Sequence, residues 1–555
     1  MQKQRKIVVL LLVSMLLLGG CGRAEGQQQN QNSEEKNQSK TTEQNLNVEE
    51  ERPTITIAMP QKGTVIDYDT NYLTLLLEEK ANVNIEFEMF PADESEMFQK
   101  IALMVTAGTE LPDIITYLDA DYSKYGESGV ILPLNEYLNN PEVMPNFYED
   151  VPEEDRKYML AGVAQADGAI YGFPGYATDA ASENPYKAWI NTTWLDKLGL
   201  SMPETTEDLY KVLKAFKEQD PNDNGKQDEI PMIGATKGTG STPFPFLLNA
   251  FVYADAYYSE NAWLSVEGGK IVSAFTKDEW REGLEYINKL VSEGLLSPLS
   301  FTQDYNQLRA ILNSSEGQMV GCFTRLAMST YDSGNPNRTD MDVLAPITGP
   351  DGTCFATSVP AKPDAMFFIT KDCENVDAAV RLIDLFYDAE ISMITRYGEP
   401  EVDWSANVEG ISNPFEEDSE FKVGFTVINE IWGKEQNKHW TGANIAYRSK
   451  YIVQGNDADA DPYSGPVMSI KALPFYQDKH PEELISVLTF TAEEQTEVAD
   501  LRAAIRQYVD ESMVRFATGE LSFDKWDDYI ETLNDMGLER YLELTQNAYD
   551  RFKSN

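Results

Sequence analysis

The chain has 555 residues and a formal charge of −47, from 92 acidic and 45 basic side chains, which makes nucleic acid and anionic membrane surfaces poor partners. Its 42% hydrophobic and 11% aromatic content is globular, and the length suits two large lobes or three to four domains of about 150 residues. Four cysteines and two histidines argue against a disulfide scaffold, a zinc cluster and histidine-dependent acid–base chemistry.

Lys3, Arg5 and Lys6 precede an apolar run, Ile7 to Leu18, that falls short of the about 20 residues needed to cross a bilayer. Residues 1–20 therefore read as a secretory signal. Leu18-Gly19-Gly20-Cys21 resembles a bacterial lipobox, which implies cleavage before Cys21 and acylation of its thiol with palmitate-type chains; a plain signal with a chance cysteine is the alternative. Residues 21–52 are rich in Gln, Asn and Glu and hold too little apolar surface to offset ordering entropy, so they read as a disordered tether. The folded body is expected over 53–555.

Thr54 to Met59 reads as a strand, Leu73 to Lys80 as a helix, and Asn82 to Phe87 as a second strand of period two. Thr205 and Asp208 cap a helix carrying Leu209, Val212, Leu213 and Phe216 on one stripe. Thr276 with Glu279, and Thr491 with Glu494, predict two further capped helices, the first ending at Gly294. Strand–helix alternation of this kind predicts an α/β fold with largely parallel sheets.

One loop carries its own chemistry. Asp220, Asn222, Asn224 and Asp228 stand at positions 1, 3, 5 and 9 of an EF-hand-like loop, with Gly225 at 6 and the Lys226 carbonyl at 7. Position 12 is Pro231, so Glu229 is the candidate bidentate carboxylate, and a structural Ca2+ is expected. A solvated Asx-rich turn is the competing reading.

Several short segments then recur in a familiar order. Ala107-Gly108-Thr109-Glu110-Leu111-Pro112-Asp113-Ile114-Ile115 is followed by Ile131 to Tyr137, Tyr171-Gly172-Phe173-Pro174 and Trp194 to Leu200. Later come Gly349 to Gly352, Ile369-Thr370-Lys371, and Tyr397-Gly398-Glu399 with Pro400 where a glycine is usual. The ordered set resembles the bacterial extracellular solute-binding proteins of family 1, lipoproteins that serve sugar ABC importers. The resemblance implies a two-lobed periplasmic-binding-protein-like α/β fold, a largely parallel sheet flanked by helices in each lobe and a ligand cleft between them. Lobe boundaries are expected near 53–174 with 355–395, and 175–354 with 396–555. It also implies a monomer on the extracellular face of the membrane, lipid-anchored, capturing an oligosaccharide for permease subunits and catalysing nothing. Alginate-binding relatives carry similar calcium loops. A surface-anchored glycoside hydrolase or lyase, and a binder of a non-sugar solute such as a peptide, are the alternatives.

Sugar sites pair aromatic platforms with polar side chains. Trp263, Trp404, Trp432 and Trp440 lie in polar or Gly-rich contexts and are candidate platforms, against plain packing as the other reading. Tyr176 and Glu183 lie near the expected first crossing between lobes, and Asp119 follows the strand at Ile114–Ile115, at the end where α/β sheets bind ligands. Trp280 and Trp526 fall on helical stripes and read as core. His439 and His480 belong to no nucleophile motif, and Cys322, Cys354 and Cys373 read as inert thiols.

Overall fold

The computed structural model describes residues 52–554 apart from 120–121, 179, 256–262, 412, 414, 416, 456–460 and 486. Cys21, the signal and the tether lie outside the described residues.

Two hydrophobic cores organise the body. The first gathers Ile55, Ile57, Leu73, Leu77, Phe173, Ile383 and Trp440; the second gathers Trp189, Leu213, Trp263, Trp280, Phe323 and Val509. The strand Thr54–Pro60 alternates Thr with Ile, and its isoleucines at 55 and 57 are fully buried. It pairs in parallel with Asn84–Phe90 on one side and Ile114–Ile115 on the other, and Phe368–Ile369 closes the sheet antiparallel. Asn82, expected to open a strand, instead ends the helix Tyr72–Ala81 in a left-handed conformation (φ 51°).

The second core holds a sheet in the order Met341–Leu344, Ala188–Asn191, Val320–Thr324, Ile230–Ile233, of which only the last pair is parallel. The sheets are thus mixed, not largely parallel. Phe368–Ile369 and Asp364–Met366, which follow the return from the other lobe, pair antiparallel, whereas Tyr447–Arg448, later still, pairs in parallel.

The segment that the family resemblance rests on has a structural reason. The Asp113 carboxylate accepts hydrogen bonds from the Thr56 amide (2.8 Å) and Thr56 hydroxyl (2.7 Å), tying the first strand to the third. Thr205 and Thr491 cap the helices Thr206–Glu218 and Ala492–Thr518 as expected, the latter with a complete capping box. Thr276 does not: it ends a 3-10 turn, bonded back to Ser273, and the helix Asp278–Ser292 begins after it.

The chain passes from the first core to the second between Ala177 and Ala188, returns between Leu344 and Asp364, and leaves again between Gly455 and Gly465. The third passage differs from the expected boundary near residue 396. Trp440, Ala443, Ile445 and Tyr447 belong to the first core. Trp440 packs edge-on against Phe87 at 5.4 Å and tilts against Phe386 at 5.6 Å, while its Nε1 donates to Thr74 Oγ1. That anchorage keeps the strands Trp404–Ser405, Lys422–Val427 and Ile452–Gly455 beside the first lobe. No helix among the described residues is long and apolar enough to cross a membrane.

Candidate functional site: an interlobe cavity and an Asx loop

A cavity of about 1300 Å3 lies between the two cores. The first lobe supplies Asp150, Arg396, Tyr397, Trp432, Tyr447 and Arg448; the second supplies Leu326, Ala327, Ser329 and the start of the helix Gly465–Tyr476. Glu183 and residues 359–362, from the first two crossings, form its floor.

The helix Ala389–Tyr397 and the strand Tyr447–Arg448 set the cationic wall. Arg448 sits at the end of that strand, in parallel register with Ala177, and its Nη1 donates to the Ser392 carbonyl (2.8 Å) and Thr395 Oγ1 (3.1 Å). Burial, with the Arg396 charge beside it, pulls its pKa down to about 10. Arg396 lies over the Trp432 ring, 3.8 Å from the centroid, a cation–π contact. His439 stacks on the same tryptophan at 5.6 Å. Its Nδ1 accepts from the Thr441 amide, and its buried Nε2 finds no hydrogen-bond partner. Burial first, then Arg396 and Arg448, push the imidazole down to about 4, so it is neutral at physiological pH. Glu183 accepts from Thr178 Oγ1 (3.1 Å) and pairs with Lys450 (3.2 Å).

Gly398 turns the chain between Arg396 and this wall. It has φ 88°, and a Cβ there would stand 2.6 Å from both Asp403 Oδ2 and Ile431 Cδ1. Pro400 follows, and Glu401 after it takes a left-handed φ of 60°.

Of the seven expected ligand contacts, the cavity brings together Glu183 and Trp432. Trp263 is fully buried against Trp280 at 5.1 Å with Nε1 donating to Asp510, so it offers no ring face to a solute. Trp440 is fully buried in the other core, and Trp404 is 6% exposed with Nε1 donating to the Gly398 carbonyl. Tyr176 faces the first core, where burial raises its phenol, and Asp119 lies on the loop after its strand; neither lines the cavity. Arg396, Arg448 and Tyr447 are the cavity residues that the sequence reading missed. The quoted turn at Tyr397 begins one residue after Arg396, and that adjacency was the available signal. Cys322 and Cys373 are buried thiols, the latter pushed up to about 12, and Trp280 and Trp526 are core as expected.

The Asx loop lies after the helix Thr206–Glu218. Asp220 and Asp223 take positive φ (46° and 56°), as does Gly225 at 72°. Asp220 accepts from the Asn224 and Gly225 amides, and Asn222 and Asn224 accept from the amides two residues on. Asp223 is drawn outward by Lys197. The Asn222 and Asn224 amide groups donate to Asp228 (3.2 and 2.9 Å), standing in for positive charge. Buried Glu229 Oε1 has no hydrogen-bond partner. Desolvation, with the Asp220 and Asp228 charges adding to it, raises the Glu229 pKa. Among the described residues no group of three His, Cys, Asp or Glu is arranged as a metal cluster, because the amides close the loop on itself. The donor types nevertheless suit a hard cation: Asp220, Asp228, Glu229, two Asn side chains and the Lys226 carbonyl fall within ten residues, and one buried carboxylate oxygen, Glu229 Oε1, is unsatisfied.

The family model for bacterial extracellular solute-binding proteins matches residues 67–393, more than half of the chain, and the chain belongs to that family. It is a family of binding proteins for transporters, not of enzymes. The fructooligosaccharide ABC transporter substrate-binding protein FusA of Streptococcus pneumoniae serotype 4 is 27% identical over 500 residues, covering 86% of each chain. FusA in complex with kestose superposes with a TM-score of 0.65, at 25% identity over 90% of this chain and 100% of that one. A FusA EF-hand mutant with fructo-nystose gives 0.63 at 24% identity, over 90% of this chain and 100% of that one. Lipoprotein LipO of Bacillus subtilis is 25% identical over 412 residues, covering 71% of this chain and 73% of LipO. A solute-binding protein of Bifidobacterium longum infantis described as binding HMO has a TM-score of 0.71 at 20% identity, over 90% of this chain and 99% of that one, and bears on the fold.

The four tryptophans separate by burial. Trp263→Ala and Trp440→Ala are each expected to lower unfolding free energy by about 3–5 kcal/mol in urea titrations. Trp432→Ala, at a 37% exposed position, is expected to lower it by less than about 1.5 kcal/mol. A stability loss at Trp432 as large as at Trp263 would contradict this division.

Proposed function

We propose that the chain captures an oligosaccharide between its lobes, reversibly and without turnover, and delivers it to the membrane permease subunits of an ABC importer. The observation that carries this reading is the cavity of about 1300 Å3 walled by both lobes, with an aromatic ring beside guanidinium, carboxylate and hydroxyl groups. That volume exceeds the roughly 300–1,000 Å3 of ordinary small-molecule pockets, so several sugar units fit. Trp432 supplies the apolar platform and Glu183 a hydrogen-bond acceptor. Ligand shifts the open–closed equilibrium by no more than its differential affinity for the closed form. The carbohydrate cargo of FusA supports the sugar class.

In a thermal-shift panel of oligosaccharides that includes kestose, a true ligand at 100 times its dissociation constant stabilises the protein by about 2.7 kcal/mol. Trp432→Ala is expected to weaken that ligand at least about tenfold, roughly 1.4 kcal/mol. Release of reducing ends from the bound sugar would replace importer with enzyme; silence across the panel would favour a non-sugar solute.

We further propose that Asp220, Asn222, Asn224, Asp228 and Glu229, with the Lys226 carbonyl, hold one structural Ca2+. The orphaned Glu229 oxygen supports this reading. Without metal, the sign runs against the usual carboxylate. The folded chain binds a proton at Glu229 more tightly than its ordinary value of 4.5, so stability present at low pH is lost as pH rises through the raised value. At neutral pH in EDTA, Glu229→Gln should therefore melt above the unsubstituted protein. Added Ca2+ should raise the melting temperature of the latter and leave the variant unmoved. A melting temperature indifferent to chelator would rule the site out.

Cys21 is the proposed site of lipid attachment, since small residues precede it after a basic-apolar leader. One acyl chain contributes about 0.8 kcal/mol per buried CH2, so several chains retain the protein at the membrane. Mass spectrometry of the N-terminal peptide should show them, and Cys21→Ala should release the protein to the medium. An unacylated Cys21 in the membrane fraction would refute the anchor.

A further inference from the structure

The cavity wall holds two positive charges that the protein does not neutralise. Arg448 and Arg396 both line it. Among the described residues no carboxylate oxygen comes within ion-pair distance of either guanidinium, in a chain with two acidic side chains for each basic one. Arg448 uses only Nη1, on a carbonyl and a hydroxyl; its Nε and Nη2 have no protein acceptor among the described residues. Arg396 rests on an aromatic face. The cavity's own acids are engaged elsewhere or at the rim. Asp150 accepts from the Ala389 amide, Glu183 pairs with Lys450 and takes a hydroxyl from Thr178, and Glu430 is exposed.

Two like charges facing one cavity are unfavourable, more so when one is largely desolvated and met only by neutral acceptors. An anion entering the cavity reverses that balance. A guanidinium fork matches a planar carboxylate with two parallel N–H···O bonds, and the bond is stronger where water is excluded. Trp432, 37% exposed with Arg396 lying over its ring, keeps aromatic surface open next to a guanidinium, which suits a sugar that carries C–H groups next to a carboxylate.

We propose that the saccharide captured in this cavity is acidic, a uronic-acid-containing oligosaccharide whose carboxylate is bound by Arg448 and Arg396. This rests on the oligosaccharide reading above and narrows it to a chemical class. The aromatic-plus-guanidinium wall selects the carboxylate-bearing sugar over its neutral counterpart, through charge rather than size.

The test is titration calorimetry on the purified full chain in calcium-containing buffer, with size-matched trisaccharides: uronate oligomers (galacturonate, glucuronate and mannuronate types), their methyl esters, neutral hexose and fructose oligomers, and a sulfated oligomer. At least one uronate oligomer should bind, and its neutral methyl ester should bind at least about tenfold more weakly. Arg448→Gln and Arg396→Gln should each reduce uronate affinity by about tenfold or more and methyl-ester affinity by less, so that the ratio of the two falls. Arg448→Lys should recover only part, because an ammonium cannot form the fork. If Arg448→Gln fails to fold, Arg396→Gln carries the comparison from its position on the outer face of Trp432. Equal or tighter binding of neutral oligomers, with both variants unaffected, overturns the acidic-cargo proposal and leaves the oligosaccharide reading standing. Binding of the sulfated oligomer alone overturns the carboxylate. Uronate preference that survives both substitutions overturns the arginine assignment. Failure of the whole panel overturns the oligosaccharide reading as well.

Discussion

Trp440 has no solvent exposure: Phe87 and Phe386 flank it and Thr74 takes its one polar group. A buried indole of this size carries several kcal/mol of packing, more than the loop around it retains alone. Because that ring is fixed in the first core, residues 404–455 are held beside the first lobe although the next helix in sequence belongs to the second. The cationic wall is built around it, with Ile391 and Ile394 seating the helix of Arg396 in the same core. Trp432 is held eight residues before the anchor, Arg448 eight residues after it, and Arg396 on the helix whose C-terminal turn abuts both.

The two charge arrangements of the body are opposites. In the Asx loop, carboxylates gather in excess, and the hydrogen bonds that Asp220 and Asp228 accept there come from amide N–H groups. On the cavity wall, guanidiniums gather and the chain supplies only neutral oxygens. Each leaves a fraction of its charge unmet inside the protein, which is tolerated when a small mobile species completes it. The loop does so beside the helix Thr206–Glu218 in the second lobe, the wall at the boundary between lobes.

Local chemistry explains which parts were legible from sequence. A threonine followed three residues later by an acid, then an apolar stripe, marked the helices at Thr206 and Ala492, because the cap and the stripe are contained in one short segment. The same spelling at Thr276 misled, since the hydroxyl there bonds back to Ser273 and the helix starts later. Alternation placed Thr54–Pro60 and the neighbouring strand now seen at Asn84–Phe90, while the pairing with Ile114–Ile115 is fixed by the Asp113 tie, which joins residues 57 apart. Burial was legible for Trp280 and Trp526, which fall on helical stripes, and not for Trp263, Trp404 and Trp440. Trp263 has polar neighbours in sequence yet is enclosed by Trp280 and Asp510, one of which lies 247 residues away. The guanidinium pair was hidden for the same reason: Arg448 is placed by strand pairing with Ala177 and by hydrogen bonds to Ser392 and Thr395 on the helix of Arg396, some fifty residues away in sequence.

The three crossings between cores also shape motion. The first two are bonded to each other, the Val359 amide to the Glu183 carbonyl at 2.7 Å, and the first is bonded to the strand carrying Arg448 through Thr178. Chain connections joined in this way behave as a laminated strap. Bending across it needs small changes in a few backbone torsions, whereas twisting or sliding the lobes must shear the bonds between layers. Were the lobes to open and close, bending across these two crossings would be the softest coordinate. Arg448 sits at the strap itself, so its orientation toward the first lobe changes little along that coordinate while the second lobe swings over it.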